Sequence, residues 1–513
     1  VLARNIVVAS QPLAAQSGLR MLADGGNAVD AAVAAAATLA VVEPVNNSVG
    51  GDAFAQVWHR GQLYGVNGSG RSPAGWRAQR FAGRSAMPVR GWDSVTVPGA
   101  VSVWAELSAR FGRLPFDALL APAIGYAREG YAVTPSVAEK WLDQAPELAA
   151  QPGFAQAFLP QGRAPRIGER FQLPGLAGTL ERIAATRGRD FYEGETAARI
   201  AHFAGECGAA LAIEDLSSHR AEWTRPLAVR YRGVDVHELP PNGQGIVALM
   251  ALGMLEHFEM DGLAPDSAPW IHLQIEALKL AFADAAHYVA EPEAMALDVM
   301  RLLEPRYLAA RAGLIDRQRA QVCGHGMPPL AGTVYLAAAD AAGTMVSLIQ
   351  SNYMGFGSGV VVPGIGVALQ NRGAGFTLEP SHANCVGPGK RPYHTILPGF
   401  GSIEGTPLLA LGSTGGVFQP QGHVQAVVRL VDHRQNPQAI VDAPRFRVAD
   451  GRRVNLEPGF RSEVLADLAA MGHEIHAQVE STWDFGGMQM IYRLGEDYVG
   501  ACDARRDSQA AGF

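Results

Sequence analysis

The chain has 513 residues, enough to bury a large core in one big domain or in a few ordinary ones. With 48% hydrophobic and 18% charged residues it lies near globular averages, which excludes general disorder and a fibrous repeat. The net charge of -7 comes without any Lys/Arg cluster able to track a phosphate backbone, so no nucleic-acid partner is expected.

The opening stretch, VLARNIVVASQPLAAQ, lacks a basic head followed by an apolar run. A cytoplasmic chain is therefore expected, or a periplasmic one if a leader was removed before Val1. PLAAQSGLRMLADGG has the period of an amphipathic helix, stopped at Gly25-Gly26. Asn27 then caps a second helix, with Asp30 placed three residues later to complete a capping box. That second helix is almost all Ala and Val and is predicted to be enclosed. Its uncharged run between Asp30 and Glu43 is too short for a bilayer, which takes about 20 residues, so no membrane partner is expected.

AFAQVWHRGQLYGVNGS, residues 53–69, reads as a hairpin turning at Arg60-Gly61. Residues 98–300 are predicted mainly helical, most strongly at 115–130 and 270–290, with a strand-like interruption at 226–241. From Thr333 onward strands dominate: TVYLAAAD, TMVSLIQS, VALQN, PLLALGS, GMQMIYRL and DYVGACD, with helix HVQAVVRLVDHR among them. This order argues for layered α and β structure in one unit. Residues 323–332, CGHGMPPLAG, concentrate Gly and Pro and are the expected exposed loop.

Several chemistries can be set aside. Cys207, Cys323, Cys385 and Cys502 are far apart with no CxxC pair, which suggests reduced structural thiols. HEIH at 473–476 is not HExxH and would put its two histidines poorly for one ion, so no metal or organic cofactor is assigned. There is no Walker-type phosphate loop and no GxSxG elbow. What remains is Thr333 at the head of a strand, Ser351 on the paired strand, and LGSTGGVFQP, whose Gly415-Gly416 could turn N–H groups toward an oxyanion. Those are the parts of an acyl transferase. Threonine is also common in strands and glycine pairs serve turns, so the pattern alone leaves a structural role open.

A series of blocks in order along the chain carries a resemblance: GGNAVDAAVAAAATLAVVEP, VGGDAF, GRSPAG, LLAPAIGYAREGY, ELPPNGQG, EALKLAFAD, the Thr333 hairpin, GPGKRP, GSTGG, DAPRF and DARRDSQAAGF. With these the sequence resembles the γ-glutamyltransferase (γ-glutamyltranspeptidase) family of N-terminal nucleophile hydrolases. The resemblance implies an α+β fold, a four-layer αββα sandwich. It also implies a precursor that cuts itself between Gly332 and Thr333 into a large segment, 1–332, and a small segment, 333–513, which stay together as two subunits. Thr333 would then be nucleophile and, through its freed α-amine, its own base. Ser351 matches a hydroxyl residue that bonds the nucleophile, Gly415 and Gly416 match the oxyanion hole, and Arg71 matches a substrate-carboxylate arginine, although Ser72 follows it where the family has Glu.

The resemblance also exposes two departures. At Gly375 the family has an Asp that pairs with the α-ammonium of a γ-glutamyl group, and Arg372 stands where it has Gln. His394 and Thr395 replace two serines that hold the α-carboxylate. The expected substrate is therefore a small amide with a carboxylate and no α-amino group, of the oxamate or glutaryl (cephalosporin acylase) type. An Asp placed at Gly375 is expected to move preference back toward γ-glutamyl donors. The alternatives are a γ-glutamyl hydrolase or transpeptidase acting on glutathione-type donors, and a non-catalytic homologue serving as a binding or scaffold protein.

Overall fold

The computed structural model describes residues 1–323, 332–477 and 482–513. The loop expected just before the cleavage point therefore lies, for residues 324–331, outside the described residues.

Two seven-stranded antiparallel sheets form the centre. The first runs Gln509–Gly512, Ile6–Ala9, Gly332–Ala339, Met345–Tyr353, Asp52–His59, Gln62–Asn67 and Glu222–Thr224. The second runs Leu2–Ala3, Asp497–Cys502, Met488–Leu494, Thr406–Ser413, Gly399–Ile403, Val234–Glu238 and Leu227–Tyr231. Each sheet mixes strands from before and after Gly332, so a cut at that point would leave both sheets stitched by backbone pairing.

Strand alternation explains the layering. In Gly332–Ala339 the odd residues Tyr335, Ala337 and Ala339 enter the core between the sheets, with Ile6, Phe54, Ile349, Phe400, Ala410 and Ile491. The even residues Val334, Leu336 and Ala338 face a helical layer led by Pro12–Ala23 and Ala28–Val42. The sheets approach closely where Gly412 leaves room for the Tyr335 ring, which a Cβ would overlap. A second helical layer, including Gly245–Leu255 and Gln419–Val431, covers the other sheet. The result is the four-layer αββα sandwich.

The N-terminal expectations hold in detail. Asn27 Oδ1 accepts hydrogen bonds from Val29 N and Asp30 N at 3.0 Å, and Asp30 Oδ2 accepts one from Asn27 N at 2.9 Å. All of Ala28–Val42 is buried. The 53–69 hairpin turns at Arg60 and Gly61, with φ of 49° and 81°, the left-handed pair that a tight two-residue turn requires. VALQN proves strand-like only at Val367–Ala368. No described helix is long and apolar enough to cross a membrane, and all four cysteines are free.

Candidate active site

Thr333 shares strand parity with Tyr335, so its side chain belongs to the seam between the sheets. Gly332 pairs with Tyr353 and Val334 with Gln350, leaving Thr333 at a break in register, the sort of irregularity that re-aims a side chain beside a functional site. Ser351 and Asp52, paired across neighbouring strands, point to the same seam at the same end.

Thr333 is 1% exposed, and its hydroxyl is held on two sides. It donates to Ser351 Oγ at 3.2 Å and accepts from Gln419 Nε2 at 3.3 Å. Ser351 Oγ also accepts from Tyr353 N at 2.7 Å, and Gln419 Oε1 is anchored by Leu397 N at 2.9 Å. A hydroxyl so fixed has its proton aimed at Ser351 and a donor on its oxygen that can stabilise growing negative charge. Gln419 lies inside the quoted LGSTGGVFQP run but carries no signal of its own; only folding brings it to Thr333. Ser351→Ala is expected to lower kcat, and the rate of self-cleavage, by about tenfold, the worth of one hydrogen bond to a group becoming charged. Steady-state rates and a gel time course would measure both.

Gly415 and Gly416 follow strand Thr406–Ser413 and open the turn into helix Gln419–Val431. Their φ values of 102° and 59° are left-handed, which only glycine adopts twice in succession without strain. Such a turn presents successive N–H groups on one side. It is braced by Thr414, whose N–H donates to Gly487 O at 3.0 Å while its hydroxyl accepts from Gly487 N at 2.8 Å. Gln244 Nε2 bridges Gly416 O at 2.8 Å and Thr395 O at 2.7 Å, linking this turn to the 394–395 segment.

Arg372 is the unusual charge. It is fully buried, lies over the Tyr353 ring at 4.7 Å, and donates Nη1 to Thr395 Oγ1 at 2.8 Å. Tyr353 is the residue paired with Gly332, which sets the guanidinium beside the strand of Thr333. Its Nε and Nη2 have no hydrogen-bond partner among the described residues, and no described carboxylate forms an ion pair with it. Burial lowers its pKa to about 10, which still leaves it a cation at neutral pH.

The acidic group that acts most on Arg372 is Asp52. Its Oδ2 lies 3.0 Å from His394 Nε2 and its Oδ1 accepts from Gly99 N at 3.0 Å. Burial pushes the Asp52 carboxyl up to about 7, against the opposing pull of the Arg372 charge. Burial, then the Arg372 and Arg391 charges, hold His394 well below its ordinary value, so the ring is neutral. The field on a bound anion therefore changes near neutrality. Below about pH 7 Asp52 is protonated and Arg372 acts undiminished; above it the carboxylate offsets part of that charge. KM for an anionic substrate is expected to rise several-fold between pH 6 and pH 8. Asp52→Asn, which mimics the acid form, should flatten that profile.

The other expected substrate residues are placed differently. Arg71 ion-pairs with Glu291 and, at 3.8 Å, with Glu222, and donates to Gly389 O at 3.0 Å, so its guanidinium is already engaged. His394 faces Asp52 through Nε2, accepts weakly from Ile396 N through Nδ1, and lies tilted against Phe54 with ring centroids 4.6 Å apart, so its described contacts are with the protein itself. Gly375 ends the turn Arg372–Gly375, and a Cβ there would lie 2.6 Å from Tyr393 O. An Asp at Gly375 therefore does not fit without moving the backbone, which corrects the expectation that one substitution would rebuild an ammonium subsite.

Two antiparallel sheets stacked between helical layers, with a threonine at the head of a seam strand, define a protein of the N-terminal nucleophile hydrolase class. Residues 14–513 match the Gamma-glutamyltranspeptidase family, and the chain belongs to that family of enzymes. It is 36% identical to the oxamate amidohydrolase proenzyme of Klebsiella pneumoniae, over 99% of this chain and 98% of that protein. It is 35% identical to the glutathione hydrolase-like YwrD proenzyme of Bacillus subtilis, with the same coverage. The crystal structure of cephalosporin acylase from Bacillus halodurans superposes with a TM-score of 0.96 at 45% identity, covering 100% of this chain and 96% of that one.

Proposed function

We propose that this chain is a self-processed threonine amidohydrolase for small amides that carry a carboxylate and no α-amino group. The observation that carries the reading is Arg372: a buried guanidinium with two unpartnered donor nitrogens, Nε and Nη2, beside the strand of Thr333. A buried cation without an anion costs several kcal/mol, and a substrate carboxylate, matched to the guanidinium fork, offsets that cost on binding. An ammonium held about 5 Å away would instead be repelled by about 3 kcal/mol at an effective dielectric near 20, a discrimination of about 100-fold. The names of the oxamate amidohydrolase and cephalosporin acylase relatives agree with this selection.

In the precursor, the Thr333 hydroxyl attacks the Gly332 carbonyl. The acyl group shifts from nitrogen to oxygen, and water hydrolyses the ester, freeing a carboxylate on Gly332 and an α-amine on Thr333. Residues 1–332 and 333–513 then remain one folded body as large and small subunits. In turnover the α-amine takes the hydroxyl proton as the oxygen attacks the substrate amide, with the oxyanion held at Gly415-Gly416. The proton passes to the leaving amine, and water releases the acid and regenerates the threonine. Oxamate, a glutaryl amide and γ-glutamyl-p-nitroanilide assayed side by side test the proposal. One of the first two should be turned over at least about 100-fold more efficiently than the third; fast turnover of the γ-glutamyl donor alone would overturn it.

A further inference from the structure

A second cluster of reactive side chains lies in the helical layers outside the second sheet. Helix Ala268–Tyr288 carries His272 and Glu276 four residues apart, on one face. His473 reaches the same point from the turn after helix Ser462–Ala470. All three are buried, and their ligating atoms lie within 4.8 Å of one another. HEIH thus contributes one histidine to the cluster, while its second, His476, is exposed at the end of strand Glu474–His476.

The proton arrangement is specific. His272 Nε2 donates to Asp316 O at 2.7 Å, which leaves the Nδ1 lone pair directed at His473 Nε2, 2.8 Å away. A carbonyl fixing the far nitrogen of an imidazole is the usual second partner of a metal-binding histidine. His473 Nδ1 is buried with no hydrogen-bond partner among the described residues. Glu276 accepts from Gln321 N at 3.1 Å on one oxygen and from the Lys279 ammonium at 2.5 Å on the other.

We propose that His272 Nδ1, His473 Nε2 and the Glu276 carboxylate form a structural site for one divalent transition ion of the zinc type. Two histidines and one carboxylate are a three-ligand zinc set, which leaves the fourth tetrahedral position to a water molecule. Bonds of about 2.0–2.1 Å place two ligand nitrogens about 3.3 Å apart, so the two rings need to part by only about half an ångström. The proton on His473 Nε2 moves to the unpartnered Nδ1, so both rings stay neutral and no proton is released. Lys279 competes with the ion for Glu276 and is displaced from it. The burial of all three ligands excludes a substrate from the ion. Asp316 O and Gln321 N tie the cluster to the segment that leads toward Thr333, and Ala320 N bonds Met471 O at 2.7 Å, so the ion would fasten the end of the 1–332 segment to the rest of the fold.

The test uses the full chain, stripped with a chelator, reloaded with Zn2+ and desalted. One equivalent of zinc per chain is expected by elemental analysis, and Co2+ in its place should give the visible d–d absorption of a nitrogen-ligated site. His473→Gln should weaken Zn2+ binding by at least about 100-fold, and Lys279→Met, which removes the competitor, should tighten it by about tenfold. No zinc retained by the natural chain, or equal affinity in His473→Gln, would overturn the proposal. If His473→Gln fails to fold by circular dichroism, the cobalt spectrum of the natural chain decides alone, and its absence refutes the site.

Discussion

Thr333→Ala is expected to leave the polypeptide uncut and without amidase activity, a loss of roughly 10^4 to 10^6-fold in kcat, the scale seen when a nucleophile is removed. The variant removes the hydroxyl that Ser351 and Gln419 orient, while the backbone pairing of Gly332 with Tyr353 and of Val334 with Gln350 stays available, so the fold should persist. Denaturing electrophoresis would show one band for the variant and two for the natural chain. N-terminal sequencing of the natural protein should return a second sequence beginning TVYLA. Thr333→Ser keeps a hydroxyl but loses the methyl that restricts χ1, so it should process more slowly and retain partial activity. An active Thr333→Ala protein would remove the basis of the mechanism.

Arg372→Gln is expected to lower kcat/KM for carboxylate-bearing amides by about 10^2 to 10^3-fold, since one or two charge-assisted hydrogen bonds at about 1.5–3 kcal/mol each are lost. Most of the change should fall on KM. Stability should move the other way. The substitution removes a buried cation with two unpartnered donor nitrogens, each costing about 1–3 kcal/mol. A higher melting temperature together with lower activity is the signature of a group kept for binding. Unchanged kcat/KM would assign Arg372 to the fold and leave the substrate carboxylate without a receptor.

Much of the architecture was legible because local rules and tertiary packing agree. The Asn27 capping box, the Arg60-Gly61 turn and the alternation through TVYLAAAD each follow from a few adjacent residues, and each stands in the structure as read. The short strands Leu2–Ala3, Ile6–Ala9 and Gln509–Gly512 were not legible, because elements of two to four residues carry too little period. They exist because the sheets offer them edges. Ile6–Ala9 lies between Gly332–Ala339 and Gln509–Gly512, so two chain ends far from Thr333 along the sequence support its strand.

The site divides the same way. The order of residue types around Thr333, Ser351 and Gly415-Gly416 is written in the chain, since a nucleophile at a strand head and a paired-glycine turn are local features. Which charges are satisfied is not local. In sequence Arg71 matches a carboxylate arginine and Arg372 only replaces a Gln, yet Glu291 and Glu222 neutralise the first while the second is buried with donors unpartnered. Gln419 on Thr333, Asp52 against His394, and His272 against His473 join residues between 86 and 342 positions apart. Sequence alone therefore determined the family, the layered fold and the candidate nucleophile. Tertiary structure decided the sign and availability of charge around it, because electrostatic free energy depends on distance and burial, which no linear spacing specifies.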